Sequence, residues 1–150
     1  MLVTKKAPDF TATAVLTDGQ IVEDFNLYEN IGEKGAVLFF WPLDFTFVCP
    51  SEIIAFSKRV DDFKERGIQV IGCSVDSQFS HFAWRETPVE NGGIGRVKFP
   101  MVADLSKSIS GKSNPFVSMP TETQILTDPF IKSSSCWSEL ESWLWTVEIL

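Results

Sequence analysis

The residue best placed for nucleophilic chemistry is Cys49, in the run Trp41-Pro42-Leu43-Asp44-Phe45-Thr46-Phe47-Val48-Cys49-Pro50-Ser51-Glu52. Proline favours the first helical position and holds its predecessor in extended backbone, so the pattern predicts Cys49 as a helix N-cap with its sulfur near free N–H groups. That setting favours the thiolate, whereas an ordinary cysteine with a pKa of about 8.5 is only slightly ionised at neutral pH. The helix end is not sufficient by itself. Lowering the pKa by about 2.5 units takes roughly 3.4 kcal/mol, against about 0.3–1 and at best about 2 kcal/mol from a helix terminus. A cation or further hydrogen bonds must assist. Thr46 lies three residues back and could offer its hydroxyl to the sulfur or to an oxygen of a bound substrate, and Pro42 would stiffen the turn and keep water from the thiol. The competing reading of a cysteine at a helix start is a small buried hydrophobe.

The other reactive side chains carry weaker signals. Cys73 stands in a buried-strand pattern and reads as an inert core thiol. Cys136 follows Ser133-Ser134-Ser135, a polar context that makes it the candidate for a second redox cysteine. His81 is either a base or, by preference, a structural or subunit-contact residue, because a thiolate at a helix start needs no base. Arg85 and Arg96 read as solvated surface charges and not as cations of the site. A C-x-x-C exchange centre is absent, since Cys49-Pro50-Ser51-Glu52 lacks the second cysteine.

Elements of two kinds must hold these residues. Gly35-Ala36-Val37-Leu38-Phe39-Phe40-Trp41 is a continuous apolar run, as expected of a strand covered on both faces in mid-sheet. Residues 50–66 place Ile53, Phe56, Val60 and Phe63 at helical spacing, and Lys64, Arg66 and Gly67 supply a helix C-terminus. Residues 69–75 read as a second buried strand, 77–85 as a short helix, 88–95 as a glycine-rich loop and 99–103 as a third strand. Strands alternating with helices predict an α/β fold with a partly parallel sheet.

Composition sets the outer bounds. The chain has 150 residues, 44% hydrophobic, with thirteen Phe and five Trp, which suits one packed domain over 1–150. A net charge of −7 without a Lys/Arg cluster argues against nucleic acid as a partner. The apolar runs are far shorter than the roughly 20 residues of a bilayer span, so a membrane role is not expected. Three widely spaced cysteines form neither a disulfide framework nor a zinc pattern, and no secretory signal precedes Ala7, so a reducing, cytoplasmic setting is expected.

Pro42-x-x-x-Thr46-x-x-Cys49 resembles the active-site signature of peroxiredoxins. The longer string through Glu52 is similar to the bacterial alkyl-hydroperoxide-reductase and typical two-cysteine branch. So are Ala7-Pro8-Asp9-Phe10, Val70-Ile71-Gly72, Ser74-Val75-Asp76-Ser77, His81-Phe82-Ala83-Trp84, Thr87-Pro88 and Gly92-Gly93-Ile94-Gly95, and the resemblance covers residues 2–110. It implies a thioredoxin-like sheet flanked by helices. It also implies a thiol-specific peroxidase of hydrogen peroxide and alkyl hydroperoxides, in which Cys49 is oxidised to a sulfenic acid. Thr46 would orient the peroxide, Pro42 would shield the pocket and Glu52 would organise hydrogen bonds. No metal, haem or other cofactor is implied. The implied partners are a thioredoxin-like or dedicated disulfide reductase and a second copy of the chain, as a homodimer or higher oligomer.

Residues 111–150 depart from that pattern, so the C-terminal part is expected to be atypical or truncated. The family's pocket arginine should follow Ser110, yet this segment holds no Arg, and the resolving Val-Cys-Pro motif is missing. One alignment matches residues 123–128 to a family strand and sets Glu122 where the arginine belongs, where a carboxylate would raise the thiol pKa. Cys136 is then the substitute resolving candidate. Trp137, Leu140, Leu144 and Val147 at helical spacing, with Ser138-x-x-Glu141 as a capping box, predict a short terminal helix. These departures motivate an alternative, a catalytically impaired relative acting as a binding or chaperone-like module.

Overall fold

The computed structural model describes residues 7–46, 49–111, 124–125 and 148–149, with side chains for 7–46 and 50–111. Its centre is β3 (Gly35–Trp41), which pairs in parallel with β4 (Ile68–Ser74) from Gly35 opposite Ile68 to Trp41 opposite Ser74. β4 pairs in parallel with β5 (Met101–Ala103). β1 (Thr11–Val15) lies antiparallel to β5 and to the edge strand β2 (Ile21–Asn26). On the other side of β3, β6 (Gln124–Ile125) and β7 (Glu148–Ile149) both pair antiparallel with it. The strand order is β2-β1-β5-β4-β3-β6, with β7 on β3, a mixed sheet in which β3 is interior as its apolar run predicts.

The two-residue alternation of β3 divides the core. Val37, Phe39 and Trp41 meet Ile53, Phe56, Val60 and Phe63 of α2 (Cys49–Glu65) on one face. Ala36, Leu38 and Phe40 meet Leu27 and Ile31 of α1 (Leu27–Ile31) on the other. α3 (Gln78–Glu86) begins where the sequence places it, with the Ser77 hydroxyl accepting from Ser80 N–H as N-cap. A 3₁₀ turn, Val89–Asn91, stands in the predicted loop.

Two positions differ from the sequence reading. α2 begins at Cys49 itself and not at Pro50. Cys49 is therefore the first helical residue, and Pro50 is the second, still inside the turn whose N–H groups have no helical acceptor. Arg85 is not a solvated surface charge but is 1% exposed. Its Nη1 donates to Leu16 O at 2.6 Å, and its Nη2 to Thr17 O at 2.8 Å and Val97 O at 3.4 Å. Three backbone carbonyls replace water around the guanidinium, and burial lowers its pKa from the usual arginine value. The link ties α3 to the β1–β2 turn. The predicted terminal helix near 137–147 and Cys136 lie outside the described residues.

Candidate active site

The loop from β3 to α2 leaves the carboxyl end of the sheet's central strand and carries Pro42 and Thr46 to Cys49 at the start of α2. Pro42 and Thr46 lie in the described part of this loop and Cys49 is the first residue of α2, while residues 47–48 and the Cys49 side chain lie outside the described ones. Thr46 is half-buried, and its hydroxyl donates to Leu43 O at 3.2 Å, which leaves its lone pairs as acceptors. Pro42 O accepts from Ser74 Oγ at 3.4 Å, holding the loop to the end of β4. Glu52 is half-buried in the first turn of α2.

The sequence reading assigned no role to Asp44, which anchors this loop. Asp44 is 8% exposed; its Oδ1 accepts from Trp41 Nε1 at 2.8 Å and its Oδ2 lies 2.6 Å from His81 Nδ1. Its own N–H donates to Asp76 Oδ2 at 2.6 Å, and Asp76 N–H donates in turn to Ser74 Oγ at 3.1 Å. His81 is fully buried, with Nε2 3.2 Å from Val102 O. This fits the structural role preferred for His81, since a ring spent on Asp44 and Val102 is not presented to a substrate. Gly72 makes the arrangement possible: a Cβ there would meet Trp41 Cζ3 at 2.7 Å, so only glycine lets the indole lie across β4 and aim Nε1 at Asp44. The contact between Asp44 and His81 spans 37 positions in sequence, and no local signal announces it.

The arginines of the sequence, Arg59, Arg66, Arg85 and Arg96, are all described, and each is engaged elsewhere. Arg59 pairs with Asp62, Arg66 donates to Asp62 O, Arg85 to the three carbonyls above, and exposed Arg96 pairs with Glu86 at 2.8 Å. Arg96 is thus the surface charge the sequence predicts. Cys73 is fully buried, and burial first and Asp104 second push its thiol well above the usual value, as befits an inert core residue.

A family model described as "AhpC/TSA family" matches residues 3–129, most of the chain. The chain belongs to the AhpC/TSA family. Over 110 residues it is 66% identical to "Alkyl hydroperoxide reductase C" of Helicobacter pylori, covering 73% of this chain and 56% of that protein. It is 57% identical over 106 residues to "Peroxiredoxin-2" of Mus musculus, covering 71% of this chain and 52% of that one. The reduced 2-Cys peroxiredoxin of Plasmodium vivax superposes with a TM-score of 0.74 at 47% identity, over 83% of this chain and 63% of that chain. The fold is the thioredoxin-like one of these AhpC/TSA structures, and the family match extends past residue 110 to include β6. The chain spans about half the length of the curated relatives it matches.

Proposed function

We propose that this member of the AhpC/TSA family is a thiol-dependent peroxidase, an oxidoreductase whose peroxidatic residue is Cys49. The observation that carries the reading is the Pro42, Thr46 and Cys49 signature set at the opening of α2, in a chain 66% identical to an alkyl hydroperoxide reductase over the matched region. The Cys49 thiolate attacks the terminal peroxide oxygen, so that an S–O bond forms as the O–O bond breaks. The leaving alkoxide or hydroxide takes up a proton and departs as alcohol or water. Sulfur loses two electrons, and a disulfide reductase of the thioredoxin type returns them through thiol exchange. Thr46 offers its lone pairs to the peroxide O–H, Pro42 limits water, and Glu52 orders the first turn. Cys136 is the substitute candidate for the resolving cysteine that the matched pattern lacks, and without it an external thiol would reduce the Cys49 sulfenic acid directly.

Exposed Leu43, Phe79 and Phe82, around the loop and on α3, support self-association as a homodimer or higher oligomer. A reducing cytoplasm suits the thiols. Among the described residues no helix is long and apolar enough to cross a membrane. Nothing observed favours the binding or chaperone-like alternative.

One equivalent of hydrogen peroxide should be consumed rapidly and leave a dimedone-trapped sulfenic acid at Cys49, and Cys49→Ser should do neither. Slow consumption in the unaltered protein, with no adduct at Cys49, refutes the assignment.

A further inference from the structure

We propose that Phe45 is a positioning residue of the Cys49 site, acting through its left-handed backbone and not through its ring. The inference rests on the thiol chemistry proposed above. Phe45 has φ of 55°, and among the described residues Lys107 alone of the other non-glycines has positive φ. An aromatic residue gains nothing from this conformation, in which Cβ crowds the following carbonyl; glycine and, less readily, asparagine adopt it. Such a backbone persists only where its surroundings over-determine it.

Here they do so from both sides. Ahead of Phe45, Asp44 is fixed by Trp41, His81 and Asp76, and Pro42 O by Ser74. Behind it, the Thr46 hydroxyl closes onto Leu43 O and so spans the strained residue. Phe45 is 52% exposed, and its ring lies beside Trp84 with centroids 5.8 Å apart. That modest packing does not explain the backbone. Phe45 is the elbow between the segment pinned to β4 and α3 and the segment that bears Thr46 and Cys49. The strain is a consequence of fixing Asp44 and Thr46 only two positions apart.

The test compares Phe45→Asn with Phe45→Val, reading the pH profile of Cys49 alkylation by iodoacetamide, followed by peptide mass spectrometry, beside peroxide consumption. Asparagine tolerates the left-handed region and valine does not, so the Val variant should react about tenfold more slowly at Cys49 than the Asn variant. Its alkylation profile should also shift to higher pH. A role in ring packing or self-association gives the opposite order, because valine is the closer apolar substitute. Val equal to or better than Asn therefore overturns the proposal, as does a series indistinguishable from the parent. If Phe45→Val does not fold, Phe45→Gly against Phe45→Ala makes the same comparison without a ring, with Gly expected to be the more reactive. Alkylation does not depend on peroxide turnover, so the failure of the peroxidase reading and the failure of this one remain distinguishable.

Discussion

Asp44 and Asp104 are the same residue type in matching places, each just past the carboxyl end of a strand and each buried, yet they do different work. The Asp44 carboxylate follows β3, accepts from Trp41 at the end of β3 and lies against His81 of α3. The Asp104 carboxylate follows β5 and accepts from Ile109 N–H, Ser110 N–H and Ser110 Oγ, none more than six residues away, while its backbone N–H donates to Ser74 O. One carboxylate joins separate elements around the Cys49 loop; the other closes a local turn. What decides the reach of a buried carboxylate is which neighbours bring donors. Trp41 and His81 are side chains on two elements, whereas the donors of Asp104 lie in its own loop.

The largest effect should therefore come from Asp44→Ala. It leaves His81 Nδ1 and Trp41 Nε1 buried without their partner, at a cost of about 3–5 kcal/mol, readable as a lower urea midpoint at unchanged slope. Because the loop is released, Cys49 alkylation should also slow by about tenfold or more even where the variant is fully folded. A loss below about 1 kcal/mol would place Asp44 among ordinary surface residues and erase the contrast.

Asp104→Ala is the matched control. It removes the carboxylate acceptor of the Ile109 and Ser110 N–H groups, for a loss of about 1–3 kcal/mol. Cys49 reactivity should stay within about twofold, since the donors to the Asp104 carboxylate lie in the turn it closes and the Asp104 N–H bond to Ser74 O is kept in the variant. Equal damage at Cys49 from both variants would show that the two carboxylates belong to one network. Ser110→Ala, which removes only the hydroxyl donor and leaves the backbone one, should cost about 1 kcal/mol or less in the same unfolding experiment.

The same contrast explains what the sequence discloses. β3, β4 and α2 are legible because each writes its own pattern, apolar runs for the two buried strands and helical spacing for Ile53, Phe56, Val60 and Phe63, and α3 falls within the short helix read over 77–85, with Ser77 found as its cap only in the structure. β1, β2 and α1 are not in the sequence reading. β2, an edge strand, exposes half of its residues, Ile21, Glu23 and Asp24 of the run Ile21–Asn26, without a clean alternation. Within the site, Pro42, Thr46 and Cys49 form a local motif and can be found from sequence alone. The pairing of Asp44 with His81 is fixed only when α3 packs against the sheet. Arg85 was misread for the same reason: an arginine at the end of a helix looks like a solvated C-terminal cation, and nothing nearby in sequence shows that Leu16, Thr17 and Val97 will turn their carbonyls toward it.

Cys73, on β4 opposite Phe40 of β3 and Val102 of β5, supplies the finest measure of the difference, because Asp104 contributes to its raised pKa. With a thiol pKa raised in the folded state, the unfolded chain loses its proton first as pH rises. The stability contributed by the protonated form is then fully present below the ordinary thiol value of about 8.5 and declines above it, at up to about 1.4 kcal/mol per pH unit. Cys73→Ala should remove that alkaline component, seen as a shallower fall in unfolding free energy between about pH 8.5 and 10. Burial is the larger cause of the shift and Asp104 the smaller. Asp104→Asn should accordingly keep the decline but make it level off at lower pH, a smaller change than loss of the thiol itself. If Asp104→Asn abolished the decline, the carboxylate and not the dry interior would govern Cys73, and Asp104 would reach well beyond its own turn.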